Sequence, residues 1–341
     1  MANFTNTRIQ RLYVQPEATW GIIPNVAGVA SLAGSNCCRM SSLAINQTQQ
    51  EIVRSDKTGS LGFTMGVLGR RQATWSTKMS LAPNGAAGVK PDMDPFLAAV
   101  MGKLGVVNAG VSVVYGLDDN SPSNTIWDFN TPATVTERCA MGAICSKAVF
   151  DIGVDEPVVE FSGQALAILD TDIYATADAI SKGGLTAAAF PTEPATPVTN
   201  GVAPPGFTGQ ITLDGNTYAT YRTGKINVDV ARDLPMDGFN SYYGLAPEAG
   251  DRNVTTDWSM YDDDSTILST LKQKAYAGTP VTLTFQVGTV AGSTWVFLLK
   301  NVLLAKPQYD MSGKRRFVTF TGSRTHDTTI GAKDAFQITV Q

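Results

Sequence analysis

Charged residues are scarce in this chain of 341 residues. Asp, Glu, Lys and Arg make up only 16% of it, against roughly 25% in an average globular protein. The 26 basic and 30 acidic residues leave a formal net charge of −4, which gives no general attraction to nucleic acid or to anionic lipid. A surface this poor in charge is typical of a chain that covers much of itself with partners.

Long apolar segments are also lacking. No apolar run approaches the roughly 18 residues that a membrane-spanning helix needs, so we expect no membrane partner. Residues 1–16 mix Asn, Thr and Arg where a secretory signal places an apolar stretch, which argues against export by that route.

Cysteine is rare, and its four positions are Cys37, Cys38, Cys139 and Cys145. They lack the paired C-x2-C spacing of a zinc site, and the adjacent Cys37 and Cys38 cannot comfortably bridge each other. We interpret all four as small buried thiols in a protein made in the cytoplasm. The alternative is a Cys139–Cys145 bridge across a hairpin.

Residues with recognisable catalytic chemistry are few. His326 is the single histidine, and no G-x-S-x-G elbow or nearby cysteine nucleophile accompanies it. Asp262, Asp263 and Asp264 lack the alternate spacing of a calcium loop and fit helix capping better. The glycines of 59–69 are not followed by the Lys-Ser/Thr of a phosphate loop. We therefore predict no enzyme and no catalytic, cofactor or metal site, although carboxylates paired only in space for glycoside chemistry stay open.

The chain contains one β-rich unit twice. Phe150-Asp151 and Val159-Glu160-Phe161-Ser162-Gly163 recur 159 residues later as Tyr309-Asp310 and Val318-Thr319-Phe320-Thr321-Gly322. Upstream, Ile45-Asn46 and Trp75 recur as Ile226-Asn227 and Trp258, with 104–137 absorbing the extra length of the first copy. A unit of this size is too long for a solenoid repeat and indicates two tandem domains of one fold.

Alternating apolar and polar residues predict a mainly β protein. The alternation is clearest over 73–81 and 281–287, and further strands are predicted at 43–48, 63–67, 148–152, 158–169, 225–230, 295–304 and 316–323. Asp214-Gly215 predicts a hairpin between 211–213 and 217–221. Each copy also holds one short helix, capped by Asp94 and ending at Gly102 in the first, and capped by Asp264 or Ser265 and ending at Gly278 in the second.

These patterns give two tandem β-sandwich or half-barrel domains, each with one short flanking helix. The predicted boundaries are 1–175 for the first domain with its N-terminal arm, 176–210 for a linker rich in Pro, Gly and Thr, and 211–341 for the second domain.

Two long segments at the same point of the repeat, Gln47–Gly62 and Asp233–Asp251, contain little to bury. A matched pair of such loops suggests a shared contact role, whereas a single one would be read as a mobile surface hairpin. The residues proposed for contacts between rings are Glu51, Arg54, Asp56, Lys57, Tyr242 and Tyr243.

The chain resembles the tail tube, or major tail, proteins of long non-contractile-tailed bacteriophages. The resemblance lies in Val14–Gly21, the strand and loop of Ile45–Gly62, Gly69-Arg70-Arg71 before Trp75, the helix Pro95–Gly102, Gly250–Trp258 and the closing hairpin Pro307–Gly322. It implies β-sandwich domains whose sheets join edge to edge into rings, and rings that stack into a hollow tube through which the genome passes. Most members carry one such domain and form six-membered rings, whereas this chain carries two.

The expected function is therefore a structural subunit of a phage tail, placed in the virion and assembled in the host cytoplasm. Open sheet edges need partners, and closing them around a ring supplies these. Three two-domain chains would make a pseudo-hexameric ring with an uncharged to acidic bore, with DNA as transient cargo and tape-measure, tail-tip and terminator proteins as further partners. The alternatives are another β-rich ring, tail-tip or decoration protein, and a two-domain β-rich hydrolase.

Overall fold

The computed structural model describes residues 9–341 apart from 53–65, 131–136, 154, 178–181, 196–200, 219–220, 236–242, 264 and 312–313. The helices in these residues are α1 (Asp94–Met101), α2 (Thr171–Tyr174) and α3 (Thr266–Ala277). The strands are β1 (Gln10–Pro16), β2 (Asn25–Val26), β3 (Val29–Ala30), β4 (Cys37–Cys38), β5 (Ser42–Ile52), β6 (Val67–Ser80), β7 (Val106–Asn108), β8 (Ser112–Gly116), β9 (Ser123–Asn130), β10 (Arg138–Ile152), β11 (Val158–Ala165), β12 (Ala167–Asp170), β13 (Gln210–Leu213), β14 (Asn216–Tyr218), β15 (Tyr221–Asp229), β16 (Asn253–Tyr261), β17 (Val281–Val287), β18 (Trp295–Val302), β19 (Gln308–Asp310), β20 (Phe317–Arg324) and β21 (Phe336–Val340).

A long antiparallel sheet runs through both halves of the chain. Its main path has the order β19-β20-β16-β15-β10-β11-β6-β5, and β1, β4, β9 and β12 join it around the first half of β10. A second sheet has the order β14-β13-β17-β18-β21-β8-β7, so it too combines strands from both halves. The mainly β fold expected from the alternation is confirmed. The domain boundaries at 175 and 211 stay a prediction.

One hydrophobic core lies between the two sheets. Phe150 of the long sheet contacts Phe297 and Phe336 of the second sheet, with ring centroids 5.2 and 6.4 Å apart. A smaller core lies beside it, where Trp127 and Phe129 of β9 pack with Tyr13 of β1. Strand β9 is therefore covered on both faces.

The helix ends follow from their sequences. In α3 the Ser265 hydroxyl accepts the N–H of Leu268 at 3.3 Å, and Gly278 ends the helix in the left-handed conformation at φ 66°. In α1 the residue at the N-cap is Met93, not the predicted Asp94, which is instead the first helical residue, with Pro95 following it. Gly102 ends α1 as expected, at φ 79°.

Several strand predictions need correction. The run 158–169 is two strands, because the extended conformation is interrupted at Leu166 between β11 and β12. Tyr221 begins β15 and does not belong to the hairpin of Asp214-Gly215, whose second strand ends at Tyr218. The predicted strand 63–67 falls mostly outside the described residues.

The cysteines agree with the first interpretation. All four are free and buried, so the alternative Cys139–Cys145 bridge is wrong. Burial raises the pKa of the Cys37 thiol to about 11 and that of the Cys145 thiol to about 12.

Polar contacts tie the second half of the sequence to the first. The buried guanidinium of Arg232 donates to the carbonyl oxygens of Ala99, near the end of α1, and of Asn120, and lies 3.4 Å from that of Cys145. In the predicted linker, the Glu193 carboxylate accepts hydrogen bonds from Arg11 at 2.8 Å and from the Tyr13 hydroxyl at 2.9 Å. That part of the linker therefore lies against β1.

Candidate functional site

The long sheet has one face turned away from the core. On β10, Ala148, Phe150 and Ile152 are fully buried, whereas Lys147 and Asp151 are exposed, because successive side chains of a strand point to opposite faces. The same alternation holds on the neighbouring strands. The outward residues, which we call the polar face, are Ser42, Ala44, Asn46 and Thr48 of β5; Gln72, Thr74, Ser76, Lys78 and Ser80 of β6; Lys147, Val149 and Asp151 of β10; Val158, Glu160, Ser162 and Gln164 of β11; Thr223, Lys225, Asn227 and Asp229 of β15; and Asn253, Thr255 and Asp257 of β16.

Each lysine of the polar face has a carboxylate directly across from it on an adjacent strand. Lys78 lies opposite Glu160, and Lys147 lies opposite Asp229. Side chains at directly opposed positions of an antiparallel pair have Cβ atoms only about 4.5–5.5 Å apart. The lysines of this surface are therefore locally matched, whereas the exposed Arg324, where the face continues onto β20, lies opposite Thr255.

Lys225 is flanked on both sides, by Asp151 of β10 and Asp257 of β16. The polar face thus holds three lysines and four carboxylates. Its lysines do not form an unmatched cationic patch of the kind that holds phosphates.

Hydrogen bonds fix part of this surface. The Asp257 carboxylate accepts the N–H of Gly322 at 2.6 Å and the side-chain amide of Asn227 at 3.3 Å. The amide of Gln164 donates to Asp233 at 2.7 Å, which ties β11 to the segment that follows β15. Hydrogen bonds within the chain therefore fix the positions of the Asp257 carboxylate and the Gln164 amide.

The alternation over 73–81 predicted one exposed row on β6, but not the surface to which that row belongs. The missing information was strand order, since Lys147 and Asp229 are far apart in the sequence and adjacent only through the pairing of β10 with β15. A search for oppositely charged residues on the outward rows of repeated strands would have signalled it.

The residues predicted for ring contacts are only partly described. Glu51 lies exposed on β5, opposite Leu68 of β6. Tyr243 packs against the smaller core and lines a depression that Arg71 also lines. Arg54, Asp56, Lys57 and Tyr242 lie outside the described residues, and the contact role of all six stays a proposal.

The two loop segments contain more regular structure and more buried residues than the prediction gave them. The first is strand as far as Ile52, and the second strand of that hairpin begins at Val67. In the second segment, Asp233 and Glu248 exchange backbone hydrogen bonds of 3.3 and 3.0 Å, and Leu234 is buried. The second segment is thus anchored at its base, whereas β5 and β6 carry exposed Ile52 and Leu68 outward.

His326 is exposed, with its Nδ1 3.4 Å from the carbonyl oxygen of Asn301. It lies in an open depression that Arg252 and Arg324 also line. The neighbouring Asp327 carboxylate accepts two backbone N–H groups of the 334–335 segment, each at 3.0 Å. That carboxylate therefore holds a loop.

The acidic run before α3 also has structural partners. Asp262 forms ion pairs with Lys272, at 2.7 Å, and with Arg316. Burial opposes ionisation of Asp263, but hydrogen bonds from Ser265 and from the Tyr218 hydroxyl lower its pKa. Asp264 lies outside the described residues.

Neither a metal-binding cluster nor a membrane-spanning helix occurs in the described part of the chain. No group of three or more His, Cys, Asp or Glu side chains there could hold a metal ion. No helix in it is long and apolar enough to cross a bilayer.

Comparison with known proteins identifies the family. A search of curated proteins finds no match. The family model described as phage tail tube protein matches residues 7–340, which is nearly the whole chain. The resemblance found in the sequence motifs is therefore confirmed, and the chain belongs to the phage tail tube protein family.

Proposed function

We propose that this chain is a non-enzymatic structural subunit that forms rings, and that the rings stack into the hollow tube of a phage tail. The polar face lines the bore, and the genome passes along it during ejection. The subunit assembles in the host cytoplasm and resides in the virion tail, with tape-measure, tail-tip and terminator proteins as partners.

The pairing of charges on the polar face carries this proposal. DNA that moves through a tube must not bind its wall, and unmatched lysines would release counterions from the phosphates and hold it. On this surface Lys78, Lys147 and Lys225 each lie opposite a carboxylate. Such a wall is polar, and it presents no patch of unmatched lysines that would bind the DNA phosphates.

The sheet path supports a ring of three chains. One chain contributes eight successive strands to the main path of the long sheet, so three chains contribute 24. At about 4.8 Å per strand, such a closed sheet is roughly 40 Å across between backbones. Six chains would double the circumference, and with it the diameter of the closed sheet.

Electron microscopy of the purified protein tests this function. We expect long filaments of uniform bore with threefold symmetry and a pseudo-sixfold inner wall. Isolated capped rings or single copies would instead indicate a tail-tip or decoration protein. True sixfold order with one domain lining the bore would contradict the ring of three chains.

A further inference from the structure

The long sheet contains the same strand order twice. The sequence repeat equates β10 with β19, β11 with β20, β6 with β16, and β5 with β15. The path β19-β20-β16-β15 followed by β10-β11-β6-β5 is therefore one four-stranded set placed after another. The junction between the sets is the pairing of β15 with β10.

The two ends of this path are the counterparts of that junction. The path begins at β19, which corresponds to β10, and ends at β5, which corresponds to β15. One chain thus presents, at opposite ends, the two strand types that it already joins in its middle. Head-to-tail surfaces of this kind generate rings when the rotation closes.

We infer that β5 of one copy pairs with β19 of the next copy in the register of the β10–β15 junction. Within the chain, Phe150 lies opposite Ile226 and Asp151 opposite Lys225. Transferred by the repeat offsets, that register places Tyr309 opposite Ile45. It likewise places Gln308 opposite Asn46 and Asp310 opposite Ala44. This inference rests on the proposed ring and names the strands that close it.

Exposure at the free end supports this pairing. Phe150 and Ile152 are fully buried at the internal junction, whereas their counterparts Tyr309 and Met311 are 46% and 69% exposed. The Tyr309 ring lies under the cations of Lys272 and Arg316, at 5.2 and 5.4 Å. Its exposed part and Met311 are the apolar surface that a further strand would cover.

Charge at one rim of the sheet supports the same arrangement. The turn between β10 and β11 carries Asp155 and Glu156, and the equivalent turn between β19 and β20 carries Lys314 and Arg315. A cavity of about 570 Å³ lies between the acidic turn and the start of β5, where Ser41 lines it. The inferred register places the basic turn of the next copy beside Ser41, at the mouth of this cavity, which Asp155, Glu156 and Arg39 line.

The β5 edge is partly covered in a single chain. The guanidinium of Arg138 donates to the carbonyl oxygen of Ile45 at 3.1 Å. Charged groups commonly blunt free strand edges before assembly, and a carbonyl oxygen has a second lone pair for a strand N–H. Arg138 and an incoming strand are therefore compatible at this position.

Engineered cysteines test the register. Asn46→Cys combined with Gln308→Cys places one thiol on each outermost strand of the path, so a disulfide between them joins two chains. The native cysteines are all buried. Under mild oxidation we expect a ladder of covalent multimers on a non-reducing gel. Mixing the two single variants should give only dimers.

The matched control is Thr48→Cys with Asp310→Cys. These positions are four residues out of the inferred register, roughly 13 Å apart along the strand, which exceeds the Cα separation of about 4.4–6.8 Å that a disulfide allows. We expect at least tenfold less cross-linking. A control that cross-links as well as the test pair would overturn the register.

Imaging the same samples separates this inference from the proposed function. Tubes without the 46–308 cross-link would overturn the strand pairing and leave the tube function standing. Cross-linked multimers without tubes would support the pairing and contradict the function. Absence of both, in protein that melts cooperatively, would overturn both.

Discussion

Lys147 on β10 lies directly opposite Asp229 on β15, at the junction where the two halves of the chain share one sheet. The pair faces away from the core, so it contributes to the surface charge pattern and not to packing. The two charges face each other across the strands, and such an exposed attraction is worth at most about 1 kcal/mol. Its main consequence is that the lysine presents little unmatched charge to a passing polyanion.

Removing carboxylates from the polar face should make assembled tubes bind DNA. The double variant Glu160→Gln, Asp229→Asn leaves three lysines facing two acids, so we expect several-fold more short duplex DNA to sediment with tubes at low salt. The gain should disappear as salt rises, because counterion release drives it. The matched control, Lys78→Gln with Lys147→Gln, should bind less DNA than the wild type. Equal binding by both variants would contradict a bore lined by this face.

Shortening the first loop should separate folding from stacking. We expect a tight turn in place of residues 53–65 to leave the melting temperature within a few degrees of the wild type, because β5 and β6 keep their pairing up to Ile52 and Val67. Rings should form but not stack in electron micrographs. Replacing the same residues with a Gly/Ser segment of equal length shows whether stacking depends on the sequence of the loop or only on its length. Normal tubes from the shortened protein would show that the loop makes no contact needed for stacking.

Charge reversal tests contact between the two rim turns. Glu156→Lys places a cation where the inferred neighbour presents Lys314, so tube formation followed by light scattering should slow about tenfold at low salt. Adding Lys314→Glu to the same chain should restore much of the rate. If the double variant is slower than either single variant, these turns do not meet.

The cap of α3 should contribute measurably to stability. Ser265→Ala removes the hydroxyl that accepts the Leu268 N–H, and we expect a loss of about 1 kcal/mol in the free energy of unfolding. Ser269→Ala, at an exposed position inside the same helix, should be neutral or slightly stabilising. Urea denaturation followed by circular dichroism measures both. Equal losses would mean that the cap adds nothing.

Acid should destabilise the loop before β21. Hydrogen bonds from the Thr328 N–H at 2.9 Å and hydroxyl at 2.7 Å, with Lys300 at 3.1 Å, lower the pKa of Asp334 to about 2. Because the folded pKa lies below the ordinary value of about 3.9, this contribution is present above pH 4 and is lost as pH falls toward 2. Asp334→Asn should therefore show a smaller fall in melting temperature over that range, and Thr328→Ala an intermediate one. An unchanged fall in both would contradict this assignment.

The parts of the fold that sequence predicted are those with a local signal. Strand β6 alternates cleanly because one face is buried, and Gly102 and Gly278 mark helix ends because each adopts a left-handed conformation. Strand β9 was missed because both its faces are covered, so Trp127 and its neighbours are buried without alternation. The polar face could not be predicted from local sequence, because Lys225 and Asp257 lie opposite each other only through the register between β15 and β16.

The β10–β15 junction also bears on synthesis of the chain on the ribosome. Translation completes β10 well before it begins β15, and the N-terminal part of a chain generally folds first. During that interval the second half of β10 is an unpaired edge in the nascent chain. It corresponds to β19, so β5 of a neighbouring nascent chain on the same messenger is a competing partner for it. A fragment released before β15 has been made would keep that edge open, and we expect it to aggregate where the full chain does not.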